Sequence, residues 1–523
     1  MIIPEKAWIL ENDRKKYRQR TESYAETGVL SMSFITVDLG TTNIKVTAFA
    51  DDLREAASTS VKVIYASQGK WIEFDPEAYF SGILNSIGRM VPQLREPVRQ
   101  IVLTGQAESL VLLDNKARVL RAGISWLDTR SDQECDRIKQ AFPEDAAFLV
   151  TGQPANTPTW PITKILWLKE HEPDIFGQVD KFVLLKDYIQ YRLSGILLGE
   201  YSIYNFSYYF DIRKKDYWQD LLDWCGIRRS QLPDLVEPCT TVGSISADIA
   251  RETGLPLSTK VNIGTLDHFA GMIGTGNIRP GIISESTGTV LSLATLLDRP
   301  ILSEDPRIAC HYGPFKDSYV LLPVCESGGI SLEWFQNNLA EMLTYQELDK
   351  RVADKKRPGD LVFLPYLTGT NSPDFNADAK GVLYGLKLVH DRIDCALAVM
   401  EGVAYLLHRN LASLERMGVR AERVITTGGG SKSDIWCQIK ADQTGYEFAV
   451  PKQTEAASLG CALIGAVASG VYDGYQQGID ASVAWKKTFT PGNTSPYQAL
   501  NRLYDTLYQQ LGPVFALDAA RDK

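Results

Sequence analysis

From about residue 31 the chain alternates short apolar runs with longer stretches whose apolar residues recur at helical spacing. The runs at 34–37, 44–49, 101–103 and 110–113 predict strands, and 76–90 and 131–140 predict helices. A middle segment of about 160–225, rich in Trp and Tyr, reads as largely helical. The alternation then restarts, with strands expected at 260–263, 281–285, 290–294, 319–322 and 424–427 and helices near 330–345 and 392–415. A further helix is expected near 495–512. Strands and helices mixed in this way predict an α/β fold.

Two hairpins stand out. In the first, Asp38-Leu39-Gly40-Thr41-Thr42-Asn43 forms a small-polar turn between two apolar strands. Gly40 lets backbone N–H groups point at one anion, and the Thr hydroxyls add donors. Asp38 has the wrong charge for a phosphate, so a metal ion is the expected bridge, and Lys45 lies within reach of a phosphate tail. In the second, Thr287-Gly288-Thr289 occupies the place of Gly40-Thr41-Thr42. The repetition suggests a duplicated fold; two unrelated Gly/Thr hairpins are the plain alternative.

Three further segments fit nucleotide-dependent phosphoryl transfer. Asp267 follows a strand and small residues at the mouth of a turn, where a carboxylate can take a proton from a substrate hydroxyl. It would serve equally as an ordinary helix cap. Thr427-Gly428-Gly429-Gly430 joins a strand to a helix, leaving bare backbone against which a flat ring can lie. Gly328-Gly329, ahead of the helix that contains Trp334, repeats that signal more weakly.

At 523 residues the chain is long enough for two or three domains, and 44% hydrophobic and 23% charged residues describe an ordinary globular core. A net charge of −9 speaks against a general nucleic-acid binder. The eight cysteines form no CxxC pair, which points away from a disulfide or metal framework and towards a reducing cytoplasm. No apolar run reaches the roughly 18 residues of a membrane span. Residues 1–30 are highly charged, lack the apolar stretch of a secretory signal, and read as an extension or a short surface helix.

Together these segments resemble the FGGY family of carbohydrate kinases, within the superfamily that includes hexokinase and actin. One family signature is echoed by the segment from Pro161 through Lys164 and Trp167 to His171, the other by Gly381-Val382-Leu383-Tyr384-Gly385 followed by Asp394 and Glu401. Trp126-Leu127-Asp128-Thr129-Arg130 and Leu364-Pro365-Tyr366-Leu367 are also family-like. The resemblance implies two ribonuclease-H-like (actin-like ATPase) domains with an active-site cleft between them, at 31–276 and 277–523. It implies ATP and Mg²⁺, with Asp38 holding the metal largely through water. Gly40, Thr41, Thr42 and Lys45 would face the phosphates from one side and Thr287, Gly288 and Thr289 from the other. Gly329, Gly429, Gly430 and Asp434 would border the nucleotide, although Asp434 departs from the Asn often found there. Asp267 matches the general base.

By position the sugar would touch Gln106, Glu108, Trp126, Asp267 and His268. Ala107 and Thr159 lack the polar groups typical of glycerol kinases, and Ala107-Glu108 departs from the Met-His typical of xylulose kinases. A Glu108 carboxylate accepts from neighbouring hydroxyls and repels sugar acids, which favours a neutral ketose, such as a xylulose-like pentulose, or a polyol. Two other readings are an inactive sugar or nucleotide sensor and an actin- or chaperone-like ATPase. Many relatives form dimers, so a homodimer is a further expectation of the resemblance.

Overall fold

The computed structural model describes residues 32–303, 307–453 and 455–521. The expected charged extension at 1–30 lies outside them. The chain divides into two compact units. The first comprises 32–278, His311–Tyr319 and Glu455–Val483; the second holds Arg279–Cys310, the rest of 320–453, and 484–521. Among the described residues no helix is long and apolar enough to cross a membrane.

The first unit is built on a six-stranded sheet. Its strands are β1 (Ser33–Leu39), β2 (Asn43–Phe49), β3 (Glu55–Lys62), β4 (Val98–Gly105), β5 (Thr241–Ser244) and β6 (Lys260–Asn262), in the spatial order β5-β6-β4-β1-β2-β3. β1 pairs antiparallel with β2 and parallel with β4, and β4 is parallel to β6. β1 is buried along nearly its whole length, with Phe34, Ile35, Val37 and Leu39 apolar, as expected of a strand between two neighbours with cover on each side. Helices α1 (Pro76–Met90), α2 (Leu185–Ser194) and α3 (Asp267–Thr275) belong to this unit. The side chain of Asp75 accepts from Glu77 N at the start of α1, and Pro76 sits at its first position, so that helix begins where its sequence says it should.

The second unit repeats the plan. β7 (Ile282–Thr287) pairs antiparallel with β8 (Leu291–Leu297) and parallel with β9 (Arg423–Thr427). β9 is parallel to β10 (Phe448–Pro451), and β10 is antiparallel to β11 (Trp485–Phe489). The spatial order β8-β7-β9-β10-β11 therefore matches β2-β1-β4-β6-β5 strand for strand in direction, although β5 precedes β6 in the chain and β11 follows β10. The likeness of the two hairpins thus reflects two like sheets. Helices α4 (Ile330–Leu339), α5 (Arg392–Arg416) and α6 (Asp434–Thr444) pack in this unit.

One expectation needs correction. A single boundary at 276/277 overlooks α7 (Ala456–Ala468), which returns to the first unit and lies along α3. Gly274 and Gly460 make that approach possible: a Cβ on Gly274 would stand 1.9 Å from Ala456 O, and one on Gly460 1.8 Å from Ala270 O. The middle segment is mostly helical, as its pattern predicts, with short strands interspersed. It contains strands Lys181–Leu184 and Leu198–Glu200 and several short turns, because partners far off in sequence pair with it: Leu184 faces Leu110, and Glu200 faces Val236.

Candidate active site

In the first unit the parallel pair β1/β4 carries the candidate chemistry at its C-terminal end. Asp38 is the penultimate residue of β1, opposite Lys45 on β2. Gly40 makes the turn possible, since a Cβ there would lie 2.6 Å from Asn43 O. Asp38 Oδ1 is buried with no hydrogen-bond partner. Burial, with the neighbouring carboxylates of Asp267 and Glu455, raises the Asp38 pKa to about 7. An uncompensated carboxylate oxygen of this kind fits a hard cation such as Mg²⁺. Among the described residues no group of three or more His, Cys, Asp or Glu is arranged to hold a metal. Lys45, expected at the phosphates, has its Nζ 2.6 Å from Glu455 Oε2 instead. The partner comes from just before α7 and was therefore invisible locally.

The loop after β4 holds the expected sugar contacts. Gln106 is buried, and its amide is engaged at both ends: Nε2 donates to Tyr79 OH at 3.4 Å, and Oε1 accepts from Ser109 Oγ at 3.3 Å. Glu108 adopts a left-handed φ of 67°. Among the described residues its carboxylate accepts no hydrogen bond from the protein, and burial pushes its pKa up to about 8. Burial thus biases the expected carboxylate towards its neutral form, able to donate as well as accept, which weakens the repulsion of sugar acids by Glu108 itself. Trp126 donates its indole N–H to Thr41 Oγ1 at 3.0 Å, joining the expected sugar loop to the first phosphate turn. Lys164, from the first signature, is fully buried and donates to Ser125 O at 2.8 Å and Glu108 O at 3.4 Å. It ties the Trp126 and Glu108 loops together, a role that a helical signature read in isolation does not reveal.

Asp267 is the first residue of α3 rather than its cap, and its Oδ1 accepts from His268 N at 2.6 Å. Burial raises its pKa, with the His268 and Lys186 charges opposing, so its basicity moves towards that needed at neutral pH. The His268 side chain is exposed. In this unit Asp38, Glu108 and Asp267 are close enough for their charges to act on one another.

The second unit holds a cavity of about 540 Å³. Thr287, Gly288, Thr289, Gly329, Gly429 and Gly430, all read from the sequence as nucleotide-facing, lie on its wall. A Cβ on Gly329 would come 2.4 Å from Gly288 O, so the two loops touch only because residue 329 is a glycine. The Thr287 hydroxyl turns inward, not towards a ligand: it bonds Glu285 and accepts from Lys440 Nζ at 2.6 Å, with Lys440 and Glu285 both fully buried. Asp434 is not on the wall; its carboxylate accepts from Lys487 Nζ at 2.6 Å. The sequence reading also missed Asp349, Ser433 and Trp436. Ser433 caps α6 and donates to Asp349 Oδ1 at 2.8 Å, while Trp436 fixes its ring through Nε1 to Met400 O at 3.0 Å. The Ser433-Asp434 pair at the helix start was the available signal, and the cap is the residue that faces the cavity.

Residues 33–274 match the model of the FGGY family of carbohydrate kinases, N-terminal domain, and 286–469 match its C-terminal domain. The chain is 28% identical to a xylulose kinase of Bacillus subtilis (strain 168) over 91% of its own length and 96% of the relative's. It is 27% identical to a gluconokinase of the same strain, with the same coverage. A ligand-bound xylulose kinase from Lactobacillus acidophilus superposes with a TM-score of 0.86 at 25% identity, over 93% of this chain and 99% of that one. With two family models in register along most of its length, the chain belongs to the FGGY family of carbohydrate kinases.

Proposed function

We propose that this chain transfers the γ-phosphoryl group of Mg·ATP to a hydroxyl of a neutral sugar, a ketose such as a pentulose or a polyol. The observation that carries the reading is the pairing of Asp38, a buried carboxylate oxygen with no partner, with Asp267, whose pKa is raised by burial at the head of α3. The glycine-walled cavity of the second unit is of a size and composition suited to a nucleotide. When bound, the metal would neutralise phosphate charge, with Asp38 as its protein anchor. Asp267 would accept the proton of the attacking hydroxyl, and Gly40 and Thr41 would offer N–H groups where charge accumulates. The presence of both Asp38 and Asp267 gives an inactive sensor no support.

The preference for a neutral substrate rests on charge. Asp38 and Asp267 gather on the first unit, while the lysines around them are spent, Lys45 on Glu455, Lys164 on two carbonyls and Lys186 on Glu200 and Ile263 O. Each of these lysines is already paired and none is left free for a sugar carboxylate.

The test is ADP release with Mg·ATP over ketopentoses, ketohexoses, polyols and sugar acids, with Asp267→Asn alongside. Turnover concentrated on one neutral sugar, and lower in the variant by about 10²–10⁴-fold, is expected. Best activity on a sugar acid would overturn the substrate reading, and near-normal turnover of the variant would remove Asp267 from its role.

A further inference from the structure

The turn that delivers Asp267 is held from beneath by groups with no access to solvent. Gly264 has φ +62°, and a Cβ there would stand 1.7 Å from Leu103 O, so the chain passes hard against β4. Lys186, from the first turn of α2, is fully buried and donates to Ile263 O at 2.9 Å and to Glu200 Oε1 at 2.7 Å. Glu200, also fully buried, accepts from Ser202 N at 2.6 Å and Ser202 Oγ at 2.9 Å. The Ser202 hydroxyl, having given its proton to Glu200, accepts from Thr265 Oγ1 at 2.8 Å and from Leu266 N at 3.3 Å. Thr265 O in turn accepts from Thr104 Oγ1 at 2.8 Å. Residues 263, 265 and 266 are thereby fixed in succession, immediately before Asp267.

A buried ion pair is a poor device for stability, since desolvation of both charges offsets their attraction and an apolar pair of the same size often does as well. What this pair supplies is a fully connected set of hydrogen bonds that allows the turn one geometry. We infer that Lys186, Glu200 and Ser202 are positioning residues that set the place and direction of the Asp267 carboxylate through the backbone of 263–266. The inference rests on the reading of Asp267 as the general base. None of the three is assigned contact with sugar or nucleotide. Their loss should therefore appear in turnover and not in binding.

The test uses Lys186→Met/Glu200→Gln, which removes both charges while keeping size, together with Ser202→Ala, which keeps the ion pair and deletes only the hydroxyl that reaches Thr265 and Leu266. The double variant is expected to lower kcat on the order of 10²-fold with both KM values within about threefold, the signature of lost alignment. Ser202→Ala should lower kcat by about 3–10-fold in the same pattern. In an Asp267→Asn background neither should cost more than about threefold, because the group they position is gone. Wild-type kcat in folded variants, or losses that multiply with that of Asp267→Asn, would overturn the inference while leaving the base intact. Normal turnover of Asp267→Asn alone would overturn both. Should the double variant fail to fold, Ser202→Ala decides by the same criteria.

Discussion

At Asp38 function and stability pull in opposite directions. Its folded pKa of about 7 lies above the value near 4 of an ordinary Asp, so the native state holds a proton that the unfolded chain releases. The stability linked to that proton is fully present below about pH 4 and is lost as pH rises through about 7. Asp38→Asn, which never ionises, should therefore melt higher than the wild type at pH 8 in metal-free buffer, by a few degrees, with the gap closing towards pH 4. Calorimetry in chelator at pH 5, 6 and 8 checks this, and parallel melting of the two proteins at every pH would refute it. The same comparison shows which residues could be read in advance. Gly40 and Gly329 were legible because a tight turn restricts its own residues. The directions of Lys45 and Asp434 were not, because each is set by a partner, Glu455 or Lys487, arriving from elsewhere in the chain.

Among the elements, the contact of α3 with α7 depends on two glycines facing carbonyls at distances no side chain allows. Gly460→Ala must separate the helices, and overpacking of this kind costs about 1–3 kcal/mol. Because α3 begins at Asp267, the strain should reach the base, lowering kcat along with Tm. Gly271→Ala is the matched control: a Cβ there meets nothing within 4 Å, so the variant should keep its activity and gain up to about 1 kcal/mol from helix propensity. Chemical denaturation and steady-state kinetics on the pair settle the matter; equal effects from the two substitutions would show that the crossing is not the constraint. The hairpins β1/β2 and β7/β8 were legible because their period and turn chemistry are local. The short strands of 181–184 and 198–200 were not, since only pairing with distant partners makes them strands.

For the molecule as a whole, the return of residues 455–483 means that the first unit is not a continuous stretch of chain. Ala270 and Ile273 on α3, with Phe34, Phe49 and Val102 of the sheet, share one apolar cluster with Leu459, Leu463 and Ile464 of α7. A break after residue 276, where the sequence pattern suggested a boundary, strips that cluster of its cover. It leaves the helix that bears Asp267 with an apolar face in water. Burying a Leu or Ile side chain contributes about 1.5–3 kcal/mol, so losing three of them removes a large part of the stability of an ordinary domain. A fragment of residues 32–276 should accordingly be aggregation-prone or bind hydrophobic dyes, with early amide exchange in α3. Joining 455–483 to its end through a flexible linker should restore a monomeric, cooperatively melting unit. If the shorter fragment is monomeric and melts as sharply as the joined one, α7 is packing on a unit already complete. If only the joined one does so, the first unit, and with it the setting of Asp267, is finished by a segment synthesised after most of the second.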